Sequence, residues 1–62
     1  MTDDTVERYR KFRHDIANPL AALLAEVQLL LLNAEKIDPE TVFSLKEVER
    51  LALRMRELLK TA

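Results

Sequence analysis

"NAEKIDPE", residues 33–40, lies between two leucine-rich segments and separates them into two helices. Asp38 is a good N-cap, because a short carboxylate accepts from the orphan amides of a first turn. Pro39 suits the first helical position, where its missing N–H would have no partner in any case and its fixed φ is already helical. Glu40 and Thr41 complete the start signal. A connection of only a few residues sends the second helix back along the first, which predicts an antiparallel αα-hairpin.

Outward from this break the composition favours helix throughout. There is no glycine, there are few β-branched runs, and Leu, Ala, Glu, Lys and Arg are plentiful. The chain, residues 1–62, reads as one unit: a first helix over about 4–34, a turn over about 35–38 and a second helix over about 39–60. Asp4 with Glu7 three residues later has the spacing of a capping box. Asp4 to Arg8 and Glu7 to Lys11 are acid-before-base pairs at four-residue spacing, each adding a few tenths of a kcal/mol.

Apolar periodicity selects the architecture. In the first helix Tyr9, Phe12, Ile16, Leu20, Leu23, Val27 and Leu30 step by three and four. The extra four-step from Ile16 to Leu20 is a local eleven-residue spacing that relaxes a left-handed supercoil. In the second helix Leu45, Val48, Ala52, Met55 and Leu59 keep a three-four rhythm. Leu24, Leu29, Leu31, Leu32, Leu51, Leu53 and Leu58 lie off these stripes, more apolar surface than one hairpin seam can cover. The expected fold class is therefore all-α: an antiparallel helical hairpin that homodimerises into a four-helix bundle. The alternative is a hairpin whose partner surface belongs to another part of a larger protein.

Composition narrows the function. A chain of 62 residues buries a modest core, and without cysteine it has neither a disulfide nor a thiolate metal site to brace it. One histidine does not make a zinc cluster. A net charge of −1 with well-mixed signs shows no basic stripe for nucleic acid. The longest apolar stretch, "PLAALLAEVQLLLLNA", carries Glu26 and Gln28 and is too short to span a bilayer, so no direct membrane insertion is expected. The absence of glycine removes the close backbone approach that phosphate-cradling loops need. Any ATP must be bound elsewhere, and no cofactor is expected in this chain.

Chemistry concentrates in "HDIANPL", residues 14–20. His14 lies two residues from Phe12 and from Ile16, and residues two apart on a helix point about 200° away from each other. If those two face the core, His14 faces water. It shares an outward stripe with Arg10, Ala17, Asn18, Ala21, Ala25 and Gln28, most of them short enough for a partner to lie flat against the helix. A neutral imidazole can attack an electrophile such as a phosphoryl group through one nitrogen. Asp15 can take the proton from the other, and Asn18, one turn on, can bond a phosphoryl oxygen or a water. Pro19 removes a backbone donor and crowds the carbonyl of Asp15, which predicts a kink. Each residue alone has an ordinary reading: a surface histidine, a solvated carboxylate, an amide serving the freed carbonyl. The combination is what points to chemistry.

"FRHDIANPLAALL" resembles the phosphoacceptor motif of two-component sensor histidine kinases: histidine, Glu or Asp, two variable positions, Thr or Asn, proline, leucine. His14, Asp15, Asn18, Pro19 and Leu20 match it, and Ile16 fits. The resemblance covers nearly the whole chain, since that family's dimerisation and phosphoacceptor domain is a helical hairpin of this size that pairs into a four-helix bundle. Arg13 stands where a serine is frequent, and Ala17 where a basic residue is frequent. The second departure removes a basic contribution to phosphate handling from that position.

The resemblance implies the roles. His14 accepts the γ-phosphoryl group of ATP from a separate catalytic domain that holds ATP and Mg, and passes it to an aspartate of a response-regulator receiver domain. Asp15 is the acidic helper, and Asn18 aligns water for phosphatase activity. Pro19 is the structural hinge. Ala17, Ala21, Ala25 and Gln28 form the partner-docking stripe. The full-length parent would be a cytoplasmic or membrane-anchored histidine protein kinase, this part of it lying in the cytoplasm and unable to autophosphorylate alone. By equal helical rise His14 lies level with roughly Leu59. A catalytic domain attached after Ala62 would then sit beside its target, and the chain reads as an excised piece of a kinase or as a stand-alone phosphorelay shuttle. The competing reading is a purely structural oligomerisation module.

Overall fold

Asp38 makes the break. Its Oδ2 accepts from the Thr41 backbone amide at 3.0 Å and its Oδ1 from the Thr41 hydroxyl at 2.6 Å. Its carbonyl takes the first helical bond, from Val42 at 3.0 Å. The Thr41 hydroxyl and amide hold the carboxyl below its ordinary range. A carboxyl depressed on folding adds stability above its unfolded pKa and loses it as pH falls through the folded value. Helix content is therefore expected to be constant above about pH 5 and to lose this cap at lower pH. Asp38→Ala should lower the melting temperature at pH 7 and flatten that acid limb in circular dichroism. Asp38→Asn should keep most of the pH 7 stability, because its amide oxygen still accepts.

The computed structural model describes residues 3–61. Helix α1 spans Asp3–Leu31, a 3-10 turn spans Ala34–Lys36, and helix α2 spans Pro39–Thr61. The helices run antiparallel against each other as a hairpin, with Leu20 and Leu24 of α1 packed around Ala52 of α2. No strand occurs among the described residues.

Helix α1 stops at Leu31, short of the expected residue 34. The usual left-handed C-cap favours glycine, and no described residue has a positive φ. The helix ends by tightening instead. The Leu32 amide is shared between Gln28 O at 3.2 Å and Leu29 O at 3.3 Å, and Asn33 then donates to Leu30 O at 3.2 Å. The 3-10 turn continues this pattern, with Lys36 donating to Asn33 O at 2.9 Å and Ile37 to Ala34 O at 3.1 Å.

At the other end Asp3 is already helical, so Asp4 lies within the first turn and not at the cap; the cap itself falls outside the described residues. Asp4 pairs with Arg8 at 3.2 Å, as its spacing predicts. Glu7 turns to Arg10 at 3.6 Å, three residues on, where Lys11 was expected.

The buried residues are Leu20, Leu24, Val27 and Ala52. Ile16, Leu31, Leu45, Leu53 and Leu59 flank them half-buried. The hairpin seam on α1 thus runs through Leu24 and Leu31, which the periodic stripe had left aside. Tyr9, Phe12, Leu23 and Leu30 of that stripe stay exposed, as do Val48 and Met55 of α2. The stripe merged two adjacent faces, one that α2 covers and one that nothing in the hairpin covers. The principal extents are 52 × 15 × 11 Å and the radius of gyration is 15.5 Å, against about 11 Å for a compact chain of this length. A rod one helix pair thick has no third layer to complete its core. No helix among the described residues is long and apolar enough to cross a membrane.

Candidate functional site

Along the hairpin two grooves open on opposite sides of Leu20, which lines both. The first is a groove of about 600 Å³ whose wall includes His14, Ala17, Asn18 and Ala21 of α1 and Arg56, Leu59 and Lys60 of α2. His14 and Leu59 share it, as equal helical rise predicts. The second is apolar, with Ile16, Pro19 and Leu23 of α1 facing Val48, Leu51 and Met55 of α2. Helical angles explain the division. Ile16, Pro19 and Leu23 fall within one apolar arc, while Ala17, Asn18 and Ala21 lie across the seam from it.

His14 is exposed. Among the described residues its ring makes no hydrogen bond, nor do the side chains of Asp15 and Asn18. An imidazole, an amide and the start of a small-residue stripe are therefore presented together without a hydrogen-bond partner among the described residues. Asp15 is exposed but outside the groove lining. It follows His14 by one helical step, about 100° around the helix. Ala25 is exposed further along the same face. Gln28 is also exposed, and its Nε2 donates to Glu49 Oε2 of α2 at 3.3 Å, tying the helices together. Pro19 sits in the apolar groove, and α1 is helical on both sides of it. The missing proline N–H leaves the Asp15 carbonyl without its usual helical partner.

Periodicity did not reveal the charge around the ring. Arg10, Arg13, Arg56 and Lys60 all line the His14 groove, and among the described residues no acidic side chain does. Glu7 engages Arg10, and Glu57 engages Lys60 at 3.8 Å. Arg13 and Arg56 have no ion-pair partner among the described residues. The Arg13 guanidinium carbon stands 5.9 Å from the Tyr9 ring centroid, and its Nε is buried without a hydrogen-bond partner. A second recess on the N-terminal side of His14 adds Arg8 and Lys11, with Glu7. The sequence hides this cluster because its two halves come from opposite ends of the chain. The available signal was equal helical rise, which sets Lys60 level with Arg13 and Arg56 level with Ala17. Among the described residues no three or more His, Cys, Asp or Glu side chains gather to hold a metal ion.

No protein-family model, curated protein or solved structure matches the chain, so the reading of the site rests on its own residues and geometry.

Proposed function

We propose that this hairpin is the dimerisation and phosphoacceptor domain of a cytoplasmic sensor histidine kinase. The observation that carries the reading is His14 itself: an exposed, unbonded imidazole at the head of a small-residue stripe, with Asp15 beside it and Asn18 in the same groove. A ring nitrogen of His14 attacks the γ-phosphorus of ATP presented by a separate catalytic domain that supplies Mg. The P–N bond forms as the bond to the bridging oxygen breaks, and ADP leaves with that electron pair. The Asp15 carboxylate takes the proton from the opposite ring nitrogen. A response-regulator aspartate then attacks the same phosphorus: the O–P bond forms as the N–P bond breaks, and the imidazole leaves with that electron pair and regains a proton, with the receiver domain seated along Ala17, Ala21 and Ala25. Catalysis here is positioning and charge stabilisation, as phosphoryl transfer requires. Asn18 aligns a water that hydrolyses the regulator's aspartyl phosphate, releasing inorganic phosphate and the free carboxylate, and Pro19 is the point at which a signal bends the bundle.

Dimerisation belongs to the same reading. The apolar groove lies opposite the His14 groove, so a second hairpin seated on it as a four-helix bundle leaves His14 open. A structural oligomerisation module would use that apolar face equally well and would ignore His14. Incubation with radiolabelled ATP and the catalytic domain of the same protein separates the two. The phosphoacceptor reading expects one acid-labile, base-stable phosphate per chain, mapped to the peptide containing His14. Absence of label, or label on Ser, Thr or Asp, leaves the structural module.

A further inference from the structure

The four cations around His14 have no role in the reading above. Two come from each helix, and among the described residues no acidic side chain lines the groove they face. Arg10 and Lys60 are each partly neutralised by a glutamate on their own helix. Arg13 and Arg56 are not, and Arg13 also carries a buried Nε with no acceptor. An unpaired buried donor is unfavourable unless an acceptor arrives. Arginine is also the side chain best shaped to meet a tetrahedral oxyanion with two parallel donors.

We propose that the α1–α2 groove is a phosphoryl seat, in which Arg13 and Arg56 bind the oxygens of the phosphoryl group carried by His14. They are positioning residues, holding the group and its charge while the ring nitrogen carries the bond. The proposal rests on His14 as the phosphoacceptor. It assigns to α2, through Arg56, a share of the site that the motif on α1 does not contain. A phosphoryl monoester-like group carries about −1.5 to −2 charges near neutral pH. Neighbouring cations favour its dianion and so lower its second ionisation.

The test needs no kinase domain. Potassium phosphoramidate phosphorylates imidazole directly: the ring nitrogen bonds to phosphorus, the P–N bond of the reagent breaks, and ammonia leaves with the imidazole proton. The chain has one histidine, so phosphohistidine gives a single ³¹P resonance to follow against pH. The titration midpoint is expected to rise by roughly half a pH unit in Arg13→Gln/Arg56→Gln, and to stay near wild type in Arg56→Lys. Adding salt to the unmutated chain should move its midpoint in the same direction, which keeps the test open if the double variant folds poorly. Midpoints that are equal in wild type and variant, and indifferent to salt, overturn the seat. Labelling by ATP together with equal midpoints rejects the seat and keeps the phosphoacceptor. A shifted midpoint in a chain that ATP and the catalytic domain never label rejects the phosphoacceptor, and with it the seat as a device of that reaction.

Discussion

His14→Gln is expected to remove all ATP-derived label while leaving the hairpin folded. The two halves of this expectation have separate physical sources. The label is lost because an amide has no basic nitrogen lone pair to attack phosphorus, although glutamine fills similar space and still offers polar atoms. Oxyanion contacts from neighbouring arginines do not substitute for a missing nucleophile. The fold persists because His14 is exposed and makes no hydrogen bond within the described residues. Substitutions at such positions change stability little, so the melting temperature should stay within about 2 °C of wild type. Phosphorimaging of the gel and a circular dichroism melt of the same preparations check both halves. Equal labelling of the variant would place the acceptor elsewhere. Loss of label together with loss of fold would mean that His14 braces the helix, contrary to its exposure.

The hairpin could be read from a few residues. Asp38 and Pro39 announce the second helix through local chemistry, and local chemistry is what a sequence states most directly. The end of α1 was less legible. Without glycine nothing marks the C-cap, and where the bonds tighten depends on how the chain must turn to bring α2 back. The core was half legible. Periodicity locates apolar arcs but does not say which partner covers each, so Leu23 and Leu30 were joined to Leu20 and Val27 although the hairpin leaves them exposed. For the site, His14, Asn18 and Ala21 follow from one helix and its angles, and they do share a groove. The bond from Gln28 to Glu49 across the seam was not legible, because it is a tertiary contact. Arg56 and Lys60 were invisible for the same reason: their meaning appears only once α2 lies against α1.

Placing glutamates at both Leu23 and Leu51 is expected to reduce the particle to a single chain and to melt most of its helix at 25 °C. Leu23 is 47% exposed and Leu51 51% exposed in the hairpin, facing each other across the apolar groove with Val48 and Met55. Only four of the described residues are buried, too few to offset the conformational entropy of ordering two long helices. In the proposed dimer the missing stability comes from covering this groove with a second copy, so that folding is coupled to association. Two carboxylates per chain at the centre of that contact lose their water without a cation to meet them, since the groove lining is apolar. In sedimentation equilibrium the wild type should run at twice the chain mass of 7.2 kDa, with a melting temperature that rises with concentration. The double variant should run at the single mass with weak helical dichroism. Phe43→Glu is the control. Phe43 is 71% exposed but lies on α2 away from the Val48–Leu51–Met55 arc, so the dimer should survive its loss. A wild-type chain that sediments singly, melts cooperatively and tolerates both glutamates would show that the apolar face needs no partner of its own kind. The paired hairpin would then have to be abandoned as the state that presents His14.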